Sequence, residues 1–285
     1  MKVLVLGASG MLGNAVLRLL GESDGYEVFG SVRSAAAMRL LPPALSKRIV
    51  TGVDVENQDS LAALLGRVRP DAVINCIGIV KQLQEASDPL TTLPINALLP
   101  HRLARMCDLA GARLVHVSTD CVFAGTKGMY LESDPPDAVD LYGRSKSLGE
   151  VDYPHAVTLR TSIIGHELGG SAHGLVEWFL SQKDQVKGFT RAVFSGLPTV
   201  ELAAVIRDRV LPDRELRGVY HVSAAPIDKH SLLNLLAHSY GHSIPIVPDG
   251  QLVIDRSLDS SRFRRATGYE PPAWPELVRR MAEFR

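Results

Sequence analysis

The chain has 285 residues, which is enough for one large α/β unit with a smaller appended lobe. Its 31 Lys and Arg residues balance 31 Asp and Glu residues, so the charge indicates neither a nucleic-acid partner nor an anionic membrane surface. Three cysteines without C-x-x-C or histidine-rich spacing indicate neither disulfides nor a zinc site, and no apolar run approaches the about 20 residues that cross a bilayer, so we expect small-molecule chemistry in a reducing cytoplasm.

Strand and helix patterns alternate through the first half of the chain. Beyond Thr161 the apolar periodicity is less regular, with four helical stretches and a short strand near 218–222. This order predicts an α/β fold, with a Rossmann-type doubly wound parallel sheet over residues 1–163 and a smaller, mainly substrate-binding lobe over 164–285 that returns some chain to the sheet. The other predicted strands lie near 2–6, 26–32, 48–53, 71–77, 113–118 and 155–160, and the predicted helices include 96–110, 174–184, 199–211, 229–240 and 274–284.

Three glycines follow the first predicted strand and precede an apolar helical stretch. Glycines let the backbone approach a pyrophosphate closely, and the first turn of the following helix offers free N–H groups. The G-x-x-G-x-x-G spacing differs from the G-x-G-x-x-G of the dinucleotide fingerprint, and glycine clusters often only turn a chain. The position directly after a strand favours phosphate binding, so we predict that the cofactor contacts Gly7, Ser9, Gly10, Met11 and Leu12.

The end of the second strand bears on the choice of cofactor. An acidic residue about 20 positions after the glycine turn binds the ribose hydroxyls of NAD in this class of fold. Here that position holds Arg33, and residues 28–53 contain four cations but no Asp or Glu. We therefore predict NADPH with Arg33 on the 2′-phosphate, and NADH remains an alternative cofactor. A solvated loop position is the other interpretation of Arg33.

Two later strand ends are predicted to carry further cofactor contacts. Asp54 and Val55 follow the third strand, where an Asp in this class of fold meets the adenine amino group, although Asp54 also suits a helix cap. The fourth strand is a buried apolar run that leads to Cys76 and Gly78, where backbone lies against the cofactor. We predict that all four residues bind the cofactor.

Thr119 ends the fifth predicted strand, on the edge where ligands bind in open α/β sheets. Tyr142 and Lys146 are four residues apart and share a helix face, so the ammonium lies beside the phenol and lowers its pKa. Each feature alone has an ordinary structural interpretation, because a Y-x-x-x-K pair is usually solvated and a Thr at a strand end usually caps a turn. Together with the glycine turn they indicate a nicotinamide-dependent carbonyl reductase, with Thr119, Tyr142 and Lys146 catalytic and the last two also binding the cofactor.

Six segments spread over nearly the full chain are GASGMLG (7–13), STDCVFAG (118–125), YGRSK (142–146), LRT (159–161), GLPT (196–199) and GYEPPAW (268–274). They resemble the extended short-chain dehydrogenase/reductases, specifically the dTDP-4-dehydrorhamnose reductase family. The resemblance implies NADPH-dependent reduction of the 4-keto group of a nucleotide-activated 6-deoxyhexose in cell-surface polysaccharide synthesis. Thr119 would bind the carbonyl, Tyr142 would donate the proton, and Lys146 would bind the nicotinamide ribose.

Two other functions remain open. A 4-epimerase or 4,6-dehydratase of the same superfamily binds NAD tightly and recycles it. Dehydratases tend to place an acidic pair after the catalytic Thr, whereas here Asp120 is followed by Cys121. Some relatives are regulatory subunits that keep the nucleotide fold without chemistry, and the intact Thr119, Tyr142 and Lys146 argue against that role.

Departures from the family pattern concern the sugar, a metal and the dimer. The Trp of the family's Arg-Thr-Ser-Trp segment is replaced by Ile163, so an N-acetylated or otherwise altered sugar stays open. A Glu after the glycine turn contributes to a magnesium-linked dimer in some members, whereas Asn14 and Ala15 stand here, so we predict neither the metal nor that dimer. A homodimer through the helices near 96–110 and 142–150 is expected only by analogy.

Two cations are predicted to contact the substrate, a nucleotide-linked 4-keto-6-deoxysugar. Lys81 begins a polar insertion, residues 81–88, that acts either as a lid or as a plain solvated connector. Arg256 falls in a stretch that approaches the sugar nucleotide in the family. Its guanidinium either clamps the diphosphate bidentately or forms a salt bridge between the lobes.

Overall fold

The chain folds around a central seven-stranded sheet. The computed structural model describes residues 1–81, 84–169 and 174–285. Its strands are β1 (Lys2–Leu6), β2 (Glu27–Val32), β3 (Ile49–Thr51), β4 (Ala72–Asn75), β5 (Arg113–Thr119), β6 (Ala156–Thr161), β7 (Ile163–Ile164), β8 (Val186–Phe189), β9 (Ala192–Phe194), β10 (Leu197–Pro198), β11 (Gly218–His221), β12 (Ile227–Asp228), β13 (Ile246–Asp249) and β14 (Ile254–Asp255). The order in the central sheet is β11-β6-β5-β4-β1-β2-β3, with every neighbouring pair parallel.

Helices cover both faces of this sheet. They are α1 (Met11–Gly21), α2 (Gln58–Val68), α3 (Pro89–Thr92), α4 (Leu99–Leu109), α5 (Leu141–Leu148), α6 (Leu175–Ser181), α7 (Thr199–Val205), α8 (Lys229–Tyr240), α9 (Ser261–Thr267) and α10 (Trp274–Glu283). Because strand side chains alternate, Val3 and Val5 of β1 join a core shared with α1, α7 and α10, whereas Leu4 and Leu6 join a core shared with α2 and α4. The predicted doubly wound α/β fold is confirmed.

The strand order reverses between β1 and β4. From β1 the sheet extends through β2 and β3 in one direction, and from β4 through β5 and β6 in the other. In doubly wound sheets a crevice opens at the carboxyl ends of the two strands where this reversal occurs. The glycine turn after β1, Cys76 after β4, and Thr119 at the end of β5 therefore lie on one edge.

β3 and β4 are shorter than the sequence pattern predicts. β3 gives way to Gly52, whose φ of 74° departs from extended geometry. β4 ends at Asn75, whose side-chain Oδ1 accepts a hydrogen bond from the Ile77 N–H at 3.1 Å and turns the chain. The hydrophobic pattern did not predict these turns because apolar residues continue past both strand ends.

The predicted helix near 96–110 has a different beginning in the structure. A π-helical segment, residues 93–98, runs directly into α4. Pro100 lies in the first turn of α4, as expected, whereas Pro94 lies inside the π-helical segment and not before it. Because α3, this segment and α4 follow one another in right-handed helical geometry, both prolines lie inside one helical run and each removes an N–H donor from it.

The smaller lobe is built from short sheets and α8. β9 lies between β12, which runs antiparallel to it, and β14, which runs parallel, while β8 pairs with β13. β11 follows part of this lobe in sequence but lies in the central sheet beside β6. The proposed boundary at residue 163 stays a prediction. Among the described residues, no helix has both the length and the apolar character that a membrane span requires.

Candidate active site

The turn between β1 and α1 forms a glycine cradle at the crevice. Gly7 has a φ of 78°, in the left-handed region that favours glycine. A Cβ at Gly13 would overlap the Gly7 carbonyl oxygen, so the helix packs against the turn only because this residue is glycine. The N-cap residue, Gly10, has no side chain to cap the first turn of α1. First-turn N–H groups are therefore available to a phosphate.

Thr119 lies at the carboxyl end of β5 and is buried. Its Oγ1 accepts a hydrogen bond from the Cys121 N–H at 3.1 Å and donates one to Asp120 Oδ1 at 3.2 Å. Burial raises the pKa of the Asp120 carboxyl, and the Arg256 guanidinium opposes that rise. The hydroxyl predicted to bind a substrate carbonyl is thus held beside a carboxyl of raised pKa.

Helix α5 brings the tyrosine and the lysine to this strand end. Asp140 caps the helix, with its Oδ1 accepting a hydrogen bond from the Gly143 N–H at 2.8 Å. A Cβ at Gly143 would overlap the Cys121 carbonyl oxygen, so glycine lets the helix pack closely on the chain that follows Thr119. The Tyr142 phenol and the Thr119 hydroxyl line the same cleft, and the hydroxyl is near enough to lower the pKa of the phenol.

Lys146 is 5% exposed, and its Nζ donates a hydrogen bond to the Val117 carbonyl oxygen at 2.8 Å. Burial lowers the pKa of its ammonium to about 8, and the Glu150 carboxylate and the Cys76 thiol oppose that fall. The pKa of the Tyr142 phenol is raised, mainly by burial, although the Thr119 hydroxyl lowers it. The expectation that Lys146 lowers this pKa is not met, because burial outweighs every favourable contact.

A buried ion pair connects β6 to the strand and the helix that carry these residues, through β5 and the chain directly after α5. Glu150 Oε1 accepts hydrogen bonds from Ser118 Oγ at 2.7 Å and Arg160 Nε at 2.8 Å, and Oε2 accepts one from Arg160 Nη2 at 2.6 Å. The side chains of Glu150 and Arg160 are only 8% and 4% exposed. Arg160 Nη1 also lies 2.9 Å from His221 Nε2. The pair therefore links the residue after α5 to β5, β6 and β11.

A cleft of about 520 Å³ contains most of the predicted site. Gly78 lies in its wall, where a Cβ would stand 3.4 Å from Asn96 Oδ1 and 4.0 Å from Lys146 Nζ. Asn96 Oδ1 in turn accepts a hydrogen bond from the Ile79 N–H at 2.9 Å, which holds the chain after β4. The cleft brings together the predicted residues Ser9, Gly10, Met11, Leu12, Cys76, Gly78, Lys81, Thr119, Tyr142 and Lys146.

Other predicted residues do not line this cleft. Gly7 forms part of the turn after β1 but does not line the cleft. Arg33 is exposed and follows β2, while Asp54 and Val55 follow β3. These strands lie beyond β1 in the sheet, so their carboxyl ends continue the same edge away from Tyr142. Their role in binding the adenosine half of a cofactor stays a prediction.

Lys81, the first residue of the predicted insertion, has contacts that the structure describes. Lys81 lines the cleft, and its Nζ forms an ion pair with Asp140 Oδ2 at 2.7 Å. Gln82 and Leu83, which belong to the predicted insertion, lie outside the described residues. A lid function for residues 81–88 stays a prediction.

Arg256 lies behind the cleft wall and does not line it. Its Nε donates a hydrogen bond to the Phe123 carbonyl oxygen at 2.8 Å, and Nη1 lies 3.7 Å from Cys121 Sγ. In this arrangement the guanidinium holds the chain that follows Thr119. The diphosphate contact expected for Arg256 stays a prediction.

The opposite wall of the cleft was anticipated only in part: Ile163, which replaces the family's Trp, lines the cleft, whereas Lys229 was not predicted from the sequence. Ser162, Phe194 and Lys229 line the cleft together with Tyr142. Pairing of β12 with β9 sets Ile227 opposite Phe194 and brings the first residue of α8 to the site. The sequence signal for Lys229 is that of an ordinary helix start after an Asp cap, which identifies no site. Among the described residues, no cluster of His, Cys, Asp and Glu could hold a metal ion.

Comparisons with known proteins agree with this geometry. Residues 1–241 match the family model described as RmlD substrate binding domain. The chain is 31% identical to the "Probable low-salt glycan biosynthesis reductase Agl14" of Haloferax volcanii, over 79% of this chain and 75% of that protein. It is 30% identical to the spore coat polysaccharide biosynthesis protein SpsK of Bacillus subtilis, over 100% and 98%.

A structural comparison adds the fold. The crystal structure of dTDP-4-dehydrorhamnose reductase from Bacillus anthracis, in complex with NADP, superposes with a TM-score of 0.81 at 20% identity. The superposition covers 100% of this chain and 98% of that one. The resemblance predicted from the glycine turn, the STDCVFAG segment and the YGRSK segment is confirmed, and the chain belongs to the RmlD substrate-binding domain family.

Proposed function

We propose that the protein is an NADPH-dependent reductase of the 4-keto group of a nucleotide-activated 6-deoxyhexose, acting in the synthesis of a cell-surface polysaccharide. The observation that carries this proposal is the meeting of Thr119, Tyr142 and Lys146 in one cleft beside the glycine cradle. The names of Agl14 and SpsK, which refer to glycan and polysaccharide biosynthesis, support the pathway class.

The crevice fits a dinucleotide on structural grounds. Cβ atoms at Gly13 and Gly7 would collide with or crowd neighbouring backbone, so the cradle is open only with glycine. The first turn of α1 offers N–H groups to a pyrophosphate. A bound nicotinamide supplies the hydride from its C4, and Lys146 would bind its ribose.

The protein's own residues would handle the carbonyl and the proton. In the reaction the Thr119 hydroxyl donates to the substrate carbonyl instead of to Asp120 Oδ1, its present acceptor at 3.2 Å. The Tyr142 phenol then donates its proton to the oxygen as negative charge develops. Because burial raises the phenol's pKa, Tyr142 is fully protonated at neutral pH and holds the proton that the reaction needs.

Asp120 and Tyr142 bear on the rival functions. A sugar-nucleotide 4,6-dehydratase would have an acidic pair after the catalytic Thr, and this chain continues with Cys121, whose pKa burial raises to about 12. A regulatory subunit would not need the Tyr142 proton donor. An epimerase that recycles a tightly bound NAD differs in leaving the cofactor redox-neutral overall.

The test is a substrate panel assayed by loss of reduced-nicotinamide absorbance. NADPH is mixed with the protein and with dTDP- and UDP-linked 4-keto-6-deoxyhexoses, plain and N-acetylated. We expect turnover of one substrate, lost by a factor of about 10²–10⁴ in Tyr142→Phe. Tyr153→Phe is the matched control, because its phenol lies 3.1 Å from His101 Nδ1 and outside the cleft.

The outcomes separate the three functions. Turnover that Tyr142→Phe abolishes and Tyr153→Phe retains establishes the reductase. Conversion of a sugar nucleotide without net NADPH loss would indicate an epimerase or a dehydratase. Cofactor binding without any conversion, together with full biological activity of Tyr142→Phe, would indicate a regulatory subunit.

Assembly and location complete the proposal. We propose a cytoplasmic enzyme and a homodimer through α4 and α5, where Leu98, Leu109 and Leu148 are exposed. Light scattering on the purified protein measures the dimer. Leu148→Glu is expected to shift it to a monomer, because a charge would be buried in an apolar contact.

A further inference from the structure

A lysine that the proposed reaction does not use faces the catalytic residues across the cleft. Lys229 is the first residue of α8, after the cap residue Asp228, which accepts a hydrogen bond from the Ser231 N–H at 2.9 Å. Its Nζ lies 4.1 Å from the centre of the Phe194 ring. Lys229, Thr119 and Tyr142 line the same cleft. The lobe thus presents one cation to the reacting centre.

The ammonium of Lys229 has a carboxyl neighbour but no bonded acceptor. Asp120 is the carboxyl whose charge acts on it. In the part of the chain that the structure describes, no acceptor lies within hydrogen-bonding distance of Nζ and no carboxylate within 4.0 Å. Burial lowers its pKa to about 8, so it is mainly an ammonium at neutral pH. Its three N–H donors are available to a ligand.

The cation–π contact with Phe194 holds the half-buried ammonium in the cleft without using its N–H donors, so these donors can bind a ligand there. A sugar ring carries hydroxyl, ring and acyl oxygens, all of which accept hydrogen bonds. The reacting carbonyl would lie between Thr119 and Tyr142. The remaining sugar oxygens would then face the lobe, on which Lys229 is the cation that lines the described cleft wall.

We propose that Lys229 is a substrate-contacting residue whose ammonium donates a hydrogen bond to an oxygen substituent of the sugar ring, beside the carbonyl that is reduced. This inference rests on the proposed function and adds a specificity determinant to it. In this proposal Lys146 and Lys229 bind different molecules in the cleft. Lys146 binds the cofactor from the sheet side, and Lys229 binds the sugar from the lobe side.

A purely structural role for Lys229 makes different predictions. If the ammonium only attracts Asp120 across the interface between sheet and lobe, its loss would lower the melting temperature and leave substrate binding intact. If it contacts the sugar, its loss would raise KM and leave the NADPH Kd unchanged. The KM and the melting temperature therefore distinguish the two roles.

The first experiment compares Lys229→Met, Lys229→Arg and the wild type on the substrate that the panel identifies. We expect KM to rise about 10- to 100-fold in Lys229→Met, as for loss of a hydrogen bond from a charged donor. The NADPH Kd should stay within about twofold of the wild type. Lys229→Arg retains donors and should recover part of the KM. Lys187→Met is the control, because its side chain is 67% exposed in the same lobe.

The second experiment labels lysines with limiting trinitrobenzenesulfonate at pH 8 and locates them by peptide mass spectrometry. Lysines with lowered pKa react well at this pH, which favours Lys146 and Lys229. NADPH should protect Lys146. Adding a 4-keto sugar nucleotide to the complex with NADP⁺, which cannot reduce it, should protect Lys229 in addition.

Each outcome decides the inference. A wild-type KM in Lys229→Met, or equal labelling of Lys229 with and without the sugar nucleotide, overturns it. A wild type that reduces no compound in the panel overturns the proposed function instead. In that case protection of Lys229 by the same compounds still supports the sugar contact, and lack of protection overturns it.

Discussion

The two walls of the cleft are built in different ways. The sheet-side wall comes from the glycine turn, the ends of β4 and β5, and α5, and each contributes a short contiguous segment. The opposite, lobe-side wall combines a segment that follows β6, from Ser162 to Leu168, with Phe194 and Lys229, which lie much further along the chain. Outside the cleft, the buried Glu150–Arg160 ion pair joins β6 to the chain that follows α5.

This difference separates general chemistry from substrate choice. The sheet-side residues match motifs whose spacing follows from helix and turn geometry, and the proposed function assigns to them cofactor binding, the proton donor and its lysine. The lobe-side residues are positioned by packing between short strands such as β9 and β12. A change to the sheet-side wall should therefore affect every substrate, whereas a change to the lobe-side wall should affect some sugars more than others.

The largest expected effect is on the ion pair beneath the sheet-side wall. Glu150→Gln would leave the Arg160 guanidinium buried without its carboxylate, which costs about 3–5 kcal/mol of unfolding free energy. It would also loosen Ser118, which precedes Thr119, because Glu150 accepts the Ser118 hydroxyl hydrogen bond. Denaturant unfolding measures the loss of stability.

The control for that variant is an exposed ion pair. Arg279→Ala removes an exposed cation that pairs with Glu276 and Glu283 on α10, and it should leave the free energy of unfolding nearly unchanged because solvent screens the pair. If Glu150→Gln costs no more than Arg279→Ala, the buried pair does not hold the site segments together.

The next effect concerns the glycine cradle. Gly13→Ala places a Cβ on the Gly7 carbonyl oxygen, which should cost about 1–3 kcal/mol of stability and weaken NADPH binding at the same time. The matched variant is Gly66→Ala in α2, where a Cβ meets nothing within 4 Å and should stabilise by about 0.4–1 kcal/mol. Calorimetric titration with NADPH and thermal unfolding measure both effects. Equal NADPH affinity in the two variants would contradict the cradle.

The pH dependence sharpens the comparison between the walls. Burial disfavours the charged form of Lys146, so its ammonium is present below pH about 8 and is lost above it. Two titratable groups that act on Lys146 do not change charge near pH 8. The pKa of the Cys76 thiol is raised to about 12, and the pKa of His116 is well below its usual range. We expect kcat/KM to fall above pH 8, approaching tenfold per unit.

Lys229 also has a pKa of about 8, so a second measurement is needed to separate its effect on the pH dependence from that of Lys146. The Kd of NADPH depends only on the sheet-side wall, and its weakening above pH 8 reports Lys146. In Lys229→Met the NADPH Kd should keep this pH dependence, whereas the contribution of Lys229 to the KM for the sugar disappears. An NADPH affinity that is constant well above pH 8 would contradict the assignment of Lys146.

The same contrast explains what the sequence could predict. Local periodicity predicts the first six strands of the central sheet as they follow one another along the chain. It also predicts the glycine cradle and the helix face that Tyr142 and Lys146 share, because each of these depends on residues within a few turns. The raised pKa of Tyr142 does not follow, because its main cause is burial by distant segments. Nor does Lys229, because its place depends on the pairing of Ile227 with Phe194. Local spacing therefore predicts the residues of one helix or turn that lie together, whereas the pKa values of these residues depend on how deeply the rest of the chain buries them.

The smallest expected effect lies at the far end of the sheet edge, where Arg33 is proposed to set the preference for NADPH. Arg33 is exposed after β2, and the neighbouring Ser34 side chain accepts the Ala36 N–H at 3.1 Å, so its hydroxyl oxygen already caps the next turn. The Arg33 guanidinium is the cation directly after β2 that could pair with a 2′-phosphate. Arg33→Ala should weaken NADPH about fivefold to tenfold, as for an exposed charged contact, and leave NADH unchanged. Arg67→Ala, an exposed arginine on α2, should change neither. Equal losses for NADPH and NADH in Arg33→Ala would show that this end of the edge does not discriminate between the cofactors.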